Sequence, residues 1–154
     1  MGKKSAGILL YRFKNENLEV MLAHPGGPFW AKKDTGVWSI PKGEFEDDEE
    51  ALVAAKREFE EELGKKVFAK KFIELTPVKS KSKKTIYAFA AEEDFDTTNI
   101  TSNLCWVDWP PRSGKRIEIP EIDKAEWFNV ETAKEKIIGY QLPLIAELRN
   151  KINA

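Results

Sequence analysis

Three glutamates near the middle of the chain, Glu58, Glu61 and Glu62, have the type and spacing of residues that bind a divalent cation. If the segment around them is helical, the spacing i, i+3 and i+4 places their carboxylates on one face, within about one turn. Like charges at this spacing repel each other, and Glu60 adds a further carboxylate nearby. A hard cation such as Mg²⁺ or Mn²⁺, which prefers oxygen ligands, would turn that repulsion into attraction.

A helix in this region is predicted by apolar residues that recur at helical spacing. They are Leu52, Ala55, Phe59 and Leu63. At about 100° per residue, the three glutamates centre roughly a third of a turn from this stripe, so they border the core. We expect Asp47 or Asp48 to cap the helix at its start and Gly64 to end it.

Strands are predicted on both sides of this helix, and two further helices follow near the end of the chain. The predicted strands are 6–12, 18–24, 37–40, 67–75, 85–92 and 124–128, and the predicted helices are 131–138 and 142–152. The first two strands, joined by the polar segment 14–17, predict a hairpin. Residues 94–120, rich in Trp, Pro, Gly and Ser, are predicted to be irregular. This order of elements favours one mixed sheet with helices on its faces.

The composition indicates a globular protein in a reducing compartment. The 154 residues fit one domain, 1–154, with 42% hydrophobic and 33% charged residues. The single cysteine, Cys105, excludes an intramolecular disulfide and is interpreted as a small buried hydrophobe rather than a nucleophile. No apolar run has the length of a membrane span, and we expect a cytoplasmic protein. The net charge of −1 disfavours nucleic acid as a partner.

The segment from Gly43 to Gly64 also matches a known pattern, the Nudix box G-x5-E-x7-R-E-U-x-E-E-x-G-U, in which U is a bulky apolar residue. The matching residues are Gly43, Glu49, Arg57, Glu58, Phe59, Glu61, Glu62 and Gly64. Lys65 departs from the pattern because it stands at the last apolar position. The chain thus resembles the MutT-like Nudix hydrolases. The lead-in at 24–44 and the segment WPPRSGKR look like those of a subgroup described as predicted NTP pyrophosphohydrolases, and the strand KKTIYAFAAEE has some similarity to diadenosine tetraphosphate hydrolases.

This resemblance implies a fold, a reaction and a cofactor. The implied fold is an α/β/α sandwich of the α+β class, a mixed sheet flanked by helices. The implied reaction is the hydrolysis of a nucleoside diphosphate linked to another moiety. The implied cofactor is Mg²⁺ or Mn²⁺.

The resemblance also implies which residues hold the metal. Glu58, Glu61 and Glu62 would bind it, and a main-chain carbonyl of Gly43 or Lys42 would join them. In such a site the cation neutralises the charge of the diphosphate and holds the attacking and leaving oxygens in line.

Other residues of the box would brace the site. Glu49 and Arg57 would pair and hold the loop and helix together, a supporting role on which the catalytic carboxylates depend. Gly43 and Gly64 would shape the chain at the two ends of the segment.

The group that takes the proton from the attacking water varies among the proteins that the chain resembles. Either a box glutamate or a later acidic residue would do so. Glu121 is the candidate for the later residue, with Glu118 behind it. His24, the sole imidazole, is a poor candidate because it lies at the end of a predicted strand.

Substrate contacts are predicted outside the box. Lys83 or Lys84 could meet substrate phosphates, although a solvated hairpin tip is the alternative. Tyr87 could stack on a base or belong to the core. The remaining aromatic candidates are the tryptophans of predicted irregular segments, Trp30, Trp106 and Trp109, whereas Trp38 and Trp127 are predicted to lie in the core.

The predicted substrate is a nucleoside polyphosphate, either diadenosine tetraphosphate or a (d)NTP. ADP-ribose or another nucleotide sugar is the alternative substrate, and a nucleotide-binding module without catalysis is the alternative class. We expect a small-molecule nucleotide as partner, no membrane, no nucleic acid, and a monomer or homodimer.

Overall fold

The computed structural model describes residues 3–153. Its strands, in chain order, are β1 Lys4–Lys14, β2 Asn17–Pro25, β3 Lys42–Glu44, β4 Ile73–Glu74, β5 Val78–Lys79, β6 Thr85–Glu92, β7 Leu104–Asp108, β8 Arg116–Pro120 and β9 Ile122–Asn129. Its helices are α1 Ala51–Leu63, α2 Val130–Lys136 and α3 Leu142–Ile152, with a 3₁₀ turn at Gly139–Gln141.

Seven of the strands within residues 3–153 form one mixed sheet, in the order β4-β6-β1-β2-β9, with β3 beside β1 and β5 beside β6. The predicted hairpin of β1 and β2 is present, and its turn places Asn15 and Glu16 in the left-handed region. β1 and β6 run parallel. A parallel pair needs a crossover connection, and α1 lies in that connection.

Helices cover both faces of the sheet. Successive residues of a strand point to opposite faces, so Ile8 and Leu10 of β1 pack with Phe59 of α1. Leu9, between them, packs on the other face with Leu144 of α3. This arrangement confirms the predicted α/β/α sandwich.

The start of α1 differs from the prediction. The helix begins at Ala51 with Glu50 as its N-cap residue, so the assignment of the cap to Asp47 or Asp48 was wrong. The Asp47 carboxylate pairs instead with the Lys4 ammonium at the edge of the sheet. The acidic residues form a turn instead, in which the Glu49 N–H donates to the Glu46 carbonyl at 3.2 Å, and the helix starts two or three residues later than predicted.

The segment before the box is also not a regular strand. In residues 37–40 the backbone pairs with other segments only through isolated bridges, Trp38 with Ile137 and Ser39 with Ala23. The regular strand β3 instead begins after Pro41, whose missing N–H cannot serve a sheet ladder.

The predicted strand 67–75 is mostly irregular. Only Ile73–Glu74 pairs in the sheet, with β6. The main-chain N–H groups of Phe68 and Ala69 donate to the Glu93 carboxylate, at 2.8 and 2.7 Å. A side chain therefore satisfies the donors that a strand would have paired.

Residues 94–120 are more regular than predicted, because they include the antiparallel hairpin of β7 and β8, which is separate from the main sheet. Side chains alternate along it. Those on one face, Cys105, Val107, Ile117 and Ile119, are partly buried, whereas Leu104, Trp106, Asp108, Arg116 and Glu118 are exposed. The hairpin leads directly into the last strand of the main sheet.

The C-terminal elements agree closely with the prediction. β9 is longer than predicted, at Ile122–Asn129, and α2 is shorter, at Val130–Lys136. The Asn129 side chain caps α2 by accepting a hydrogen bond from the Thr132 N–H at 2.8 Å. α3 has the predicted bounds.

The predicted core residues differ in burial. Trp38 is 1% exposed, whereas Trp127 is partly buried and its Nε1 donates to the Phe95 carbonyl at 2.9 Å. Cys105 is also only partly buried. Among the helices of residues 3–153, none combines the length and apolarity that crossing a membrane requires.

Candidate active site

Gly43 on β3 lies directly against the Glu58 side chain of α1. A Cβ added to Gly43 would stand 2.0 Å from Glu58 Oε2 and 2.3 Å from Oε1. No side chain fits there unless the carboxylate moves away. Glycine at this position therefore allows the first glutamate of the trio to rest on the main chain of the sheet.

Arg57 connects the loop to the helix. Its Nε and Nη2 donate to the two carboxylate oxygens of Glu49, at 2.9 and 3.0 Å, so the predicted pair is present in the two-pronged geometry. These bonds from Arg57 hold the pKa of the Glu49 carboxyl below its ordinary value. Nη1 also donates to Glu58 at 3.1 Å and to Glu61 at 3.2 Å, which offsets the repulsion between these carboxylates.

Glu58 and Glu61 nonetheless remain close enough to disturb each other. Burial raises the pKa of Glu58, and the neighbouring charge of Glu61 raises it further, against the opposing charge of Arg57. The Glu61 side chain itself is 43% exposed. The repulsion that the spacing predicts is thus present in the folded chain.

Glu62 is the most buried of the three glutamates, at 6% exposed. Its Oε1 accepts a hydrogen bond from the Lys42 N–H at 3.1 Å, which links α1 to β3. Burial raises the pKa of Glu62 to about 8, and the charges of Glu121 and Glu58 add to the shift while that of Lys42 opposes it. A carboxylate in this position lacks a strong counter-charge.

Gly64 ends the helix as predicted, with a φ of 78° and its N–H bonded to the Glu60 carbonyl at 2.7 Å. A side chain at Gly64 would also meet the Thr101 carbonyl oxygen at 2.7 Å. The next residue, Lys65, departs from the box pattern. Its ammonium donates to the Thr98 carbonyl at 2.6 Å, so it tethers the loop that passes beside the helix end.

The carboxylates meet in a cleft of about 330 Å³ between α1, β3 and the start of β9. Its acidic lining residues are Glu44, Glu58, Glu62 and Glu121, and its basic lining residues are Lys42 and Lys84. Glu61 is outside this set, and its carboxylate accepts hydrogen bonds from Arg57. The cleft therefore combines negative groups that would attract a cation with two ammonium groups that would attract phosphate.

Main-chain hydrogen bonds hold Glu121 at the cleft. Its N–H donates to the Asn103 carbonyl at 3.0 Å, and the Asn103 N–H donates to the Glu61 carbonyl at 2.9 Å. Asn103 thus ties the last turn of α1 to the predicted base, a role that no motif in the sequence indicates. Glu118 is exposed on the hairpin and does not line the cleft.

Ser5, on β1, is a site residue that sequence reasoning missed. It lines the cleft, it is 1% exposed, and its Oγ has no hydrogen-bond partner within residues 3–153. Register places it opposite Glu44 on β3 and Ile86 on β6. An unsatisfied buried hydroxyl costs about 1–3 kcal/mol, and in this position it could donate to a ligand in the cleft.

The side chains around the cleft fit a hard divalent cation, although they are not preassembled around one. No three Asp, Glu, His or Cys side chains of residues 3–153 converge closely enough to hold a metal ion as they stand. The available donors are nevertheless oxygens, which suit Mg²⁺ or Mn²⁺. Glu58 and Glu62, whose pKa values are raised, face the cleft, and Glu61 could join them once it leaves Arg57.

A second pocket, of about 480 Å³, adjoins the cleft and shares Glu121 with it. The loop from Pro25 to Trp30 forms one wall and the β7–β8 hairpin forms the other. Trp30 and Trp109 line this pocket, whereas Trp106 lies outside it, is 56% exposed and has Arg116 over its ring at 5.8 Å. A larger cavity of about 800 Å³ at the far end of β1 and β2 shares no residue with the cleft.

The remaining predicted substrate residues divide between the cleft and other parts of the fold. Lys84 borders the cleft, where its ammonium lies 3.0 Å from the Glu44 carboxylate. Lys83 is exposed in the preceding turn and Tyr87 packs edge-on against Phe45, and neither lines the cleft or the second pocket.

Both ring nitrogens of His24 have hydrogen-bond partners in the fold. It is 2% exposed, with Nδ1 2.9 Å from the Asp123 carboxylate and Nε2 2.6 Å from the Lys33 carbonyl. The imidazole lines neither the cleft nor the second pocket. Its contacts fix the loop before β3 against β9.

Comparison with known proteins agrees with this fold. The model of the NUDIX domain matches residues 1–148, and the chain belongs to this family. That assignment confirms the family predicted from the segment between Gly43 and Gly64, and it agrees with the prediction of an enzyme that hydrolyses diphosphate linkages.

The names of individual relatives mention different molecules. The mRNA-decapping protein g5R of African swine fever virus is 30% identical over 104 residues, which cover 65% of this chain and 40% of that protein. The chain therefore spans about two fifths of the curated relatives it matches. A C. elegans Ap4A hydrolase in a binary complex superposes with a TM-score of 0.66 at 19% identity, covering 98% of each chain. The NUDIX domain of Shewanella oneidensis NrtR, complexed with ADP ribose, also gives 0.66, at 14% identity, covering 99% of this chain and 89% of that one.

Proposed function

We propose that the chain hydrolyses the diphosphate linkage of a nucleoside polyphosphate, such as a (d)NTP or diadenosine tetraphosphate, with the help of a divalent cation. One observation carries the proposal: the cleft that holds Glu58 and Glu62 shares the lining residue Glu121 with a neighbouring pocket lined by aromatic side chains. A nucleotide has the same two parts, a charged polyphosphate and a flat base, joined by a ribose.

The proposed roles follow from the positions of the side chains. Mg²⁺ or Mn²⁺ held by Glu58, Glu62 and, after rearrangement, Glu61 would neutralise the diphosphate and activate the attacking water. Lys84 would leave Glu44 for a phosphate oxygen, since a phosphate offers more negative charge than one carboxylate. The Ser5 hydroxyl would gain the acceptor that it lacks.

The proton of the attacking water would pass to Glu121 or to a glutamate of the box. Glu121 lies where the cleft and the aromatic pocket meet, and its carboxylate forms no ion pair within residues 3–153. It is therefore available to accept a proton from a group in the cleft, whereas Glu61 must first be released by Arg57.

A second candidate substrate is a capped RNA end, which also contains a nucleoside polyphosphate. The relation to a viral mRNA-decapping protein favours it, although the match spans only part of that protein. The net charge of −1 argues against strong binding of a long RNA body. ADP-ribose, present in the complex of a structural neighbour, is the further alternative.

A substrate panel tests the proposal. Phosphate and pyrophosphate release should be measured with Mg²⁺ or with EDTA, on dNTPs, diadenosine tetraphosphate, ADP-ribose and capped RNA. We expect turnover of a nucleoside polyphosphate that EDTA abolishes. Tight nucleotide binding without turnover of any substrate would contradict an enzyme and favour a binding module.

Glu61→Gln tests whether Glu61 acts in catalysis or only pairs with Arg57. If Glu61 joins the cation, kcat should fall on the order of 100-fold or more. The matched control is Glu60→Gln, because Glu60 is the exposed neighbour in the same turn and lies outside the cleft. Near wild-type kcat in Glu61→Gln would leave this residue a purely structural role.

A further inference from the structure

The turn between β5 and β6 concentrates positive charge at one end of these strands. Residues 79–84 read KSKSKK, and the segment 75–91 contains no aspartate or glutamate. Lys79, Lys81 and Lys83 are exposed, and none of the three forms an ion pair within residues 3–153. Their ammonium groups are therefore available to an anionic ligand.

Hydrogen bonds within the turn fix its shape. The Lys83 N–H donates to the Ser80 carbonyl and the Ser80 N–H donates to the Lys84 carbonyl, both at 2.9 Å. The Ser80 hydroxyl accepts a further bond from the Lys84 N–H at 3.1 Å. Lys83 has a φ of 65°, in the left-handed region that favours glycine. A lysine at this position adds a charge that closing the turn does not require.

The turn adjoins the cleft of the candidate active site. Lys84, its last residue, lines the cleft, and its ammonium lies 3.0 Å from the Glu44 carboxylate. The Lys3 ammonium lies 3.8 Å from the other oxygen of Glu44, and the Lys3 carbonyl accepts a hydrogen bond from the Thr85 N–H at 2.9 Å. These lysines form a basic patch that begins at the cleft and continues onto the turn: Lys3, Lys79, Lys81, Lys83 and Lys84.

The net charge of −1 does not describe this part of the surface. At physiological ionic strength the Debye length is about 8 Å, so a ligand on the patch responds mainly to the charges beside it. Lysine side chains contact the phosphates of nucleic acids, and such contacts hold the strand without reading its sequence. The patch therefore fits a short run of phosphates that leaves the cleft.

We propose that the basic patch binds the backbone of a single-stranded RNA whose 5′ end lies in the cleft. The proposal rests on the proposed function, since a 5′-polyphosphate is the part of the strand on which the cleft would act. RNA fits better than DNA, because a newly made RNA strand keeps the 5′-triphosphate of its first nucleotide. Only the phosphates nearest that end meet the patch, so a longer strand gains little more.

Equilibrium binding in EDTA tests the patch without turnover. The probe is a strand of ten uridines with a 5′-monophosphate and a 3′ fluorophore, and anisotropy gives its Kd between about 50 and 300 mM KCl. For a single strand, the logarithm of the association constant falls with that of the salt concentration, by about 0.7 for each phosphate contacted. We expect a slope of about −3, from about four contacts. No binding at 50 mM KCl would overturn the proposal.

A triple substitution locates the effect on the turn. Lys79→Gln, Lys81→Gln and Lys83→Gln together should weaken RNA binding about tenfold or more at 50 mM KCl and reduce the slope by about 2. Lys83→Gly alone should weaken binding about fivefold, yet it should not lower the free energy of unfolding, because glycine adopts the left-handed conformation without strain. Wild-type affinity in the triple variant would overturn the assignment to this turn.

The matched control removes the same charge at the other end of β6. Lys66→Gln, Lys70→Gln and Lys71→Gln alter three exposed lysines that also form no ion pair within residues 3–153. Their segment is bonded to Glu93, beyond the end of β6, roughly 23 Å from the turn by the length of that strand. RNA binding should stay within about twofold of the wild type. An equal loss in both triple variants would mean unspecific attraction and would overturn the proposal.

Anionic vesicles distinguish RNA from a membrane surface as the partner. Vesicles of phosphatidylcholine and phosphatidylserine should bind the protein no better than vesicles of phosphatidylcholine alone. Binding to the anionic vesicles that the Lys79, Lys81 and Lys83 substitutions abolish, without binding to RNA, would overturn the proposal in favour of a membrane.

The proposal and the proposed function fail in distinguishable ways. With Mg²⁺, the KM for a 5′-triphosphate strand of ten uridines should be about tenfold lower than that for UTP. Turnover of both with equal KM, together with no RNA binding in EDTA, would leave the hydrolase in place and remove the RNA-binding patch. RNA binding that depends on the turn, without Mg²⁺-dependent phosphate release, would support the patch and remove the hydrolase.

Discussion

Burying the Ser5 hydroxyl without a hydrogen-bond partner costs folding free energy, and the residue lies at the candidate active site. Its hydroxyl is buried in the main sheet and has no hydrogen-bond partner within residues 3–153, and the residue lines the cleft of Glu58 and Glu62. An alanine would avoid the desolvation penalty at that place. Under the proposed function, a phosphate oxygen of the substrate would accept a hydrogen bond from this hydroxyl.

Ser5→Ala should be more stable than the wild type and bind substrate less well. We expect the free energy of unfolding in urea to rise by about 1 kcal/mol, because an unsatisfied buried group is removed. KM should rise about fivefold to tenfold with little change in kcat, because one hydrogen bond to the substrate is lost.

Ser39→Ala is the matched control with the opposite sign. The Ser39 hydroxyl donates to the Ile40 carbonyl at 2.7 Å and accepts a hydrogen bond from the Gln141 amide at 3.0 Å. Its removal should lower the free energy of unfolding and leave KM unchanged. A loss of stability in Ser5→Ala would show that its hydroxyl already has a partner, contrary to the structure.

At the scale of elements, the sequence predicted α1 well because its determinants are local. The apolar stripe that ends at Leu63, the three glutamates and Gly64 all act within a few turns of one helix. The β7–β8 hairpin was not predicted. Its strands are short, and the turn between Asp108 and Arg116 is rich in Pro, Ser and Gly, which made the whole segment look irregular. Neither Ser5 nor Asn103 could be found in this way, since their positions at the site depend on pairing between distant segments.

The loop that carries Phe29 and Trp30 is held to the fold by Asp34. The Asp34 carboxylate accepts hydrogen bonds from the Lys136 ammonium of α2 and from Trp38 Nε1, the latter at 2.9 Å. The bond from Lys136, followed by that from Trp38, holds the pKa of Asp34 below its ordinary value of 3.8. The ionised form therefore stabilises the folded chain, fully above pH 3.8, and this stabilisation is lost as the pH falls through the lowered pKa.

Asp34→Asn should be less stable than the wild type at pH 6, and the difference should shrink on acidification below pH 3.8, the ordinary pKa of Asp34. Urea unfolding at pH 6, pH 4 and pH 2.5 measures this convergence. Asp48→Asn is the control, since Asp48 is exposed and forms no ion pair within residues 3–153. A difference that stays constant with pH would mean that the ionised carboxylate is not what anchors the loop.

At the scale of the whole molecule, the cleft of Glu58 and Glu62 and the aromatic pocket beside it are each built from segments that lie far apart in the sequence. β1 and β3 supply the floor of the cleft, α1 supplies its buried carboxylates, and the segment around Glu121 connects it to the pocket. The folded chain thereby brings negative groups together that are far apart when it is unfolded. A ligand that neutralises them must consequently stabilise the fold as a whole.

Mg²⁺ or Mn²⁺ should therefore raise the melting temperature. A cation at about 100 times its Kd stabilises the folded state by about 2.7 kcal/mol, which corresponds to a rise of roughly 5–10 °C for a chain of this size.

Burial raises the pKa of Glu62 to about 8, so without metal the fold loses stability as the pH rises toward 8. At pH 9, Glu62→Gln should melt at a higher temperature than the wild type without metal and gain less from Mg²⁺, while Glu60→Gln should resemble the wild type in both. Scanning calorimetry with EDTA and with Mg²⁺ measures both effects, and a full Mg²⁺ response in Glu62→Gln would remove this residue from the metal site.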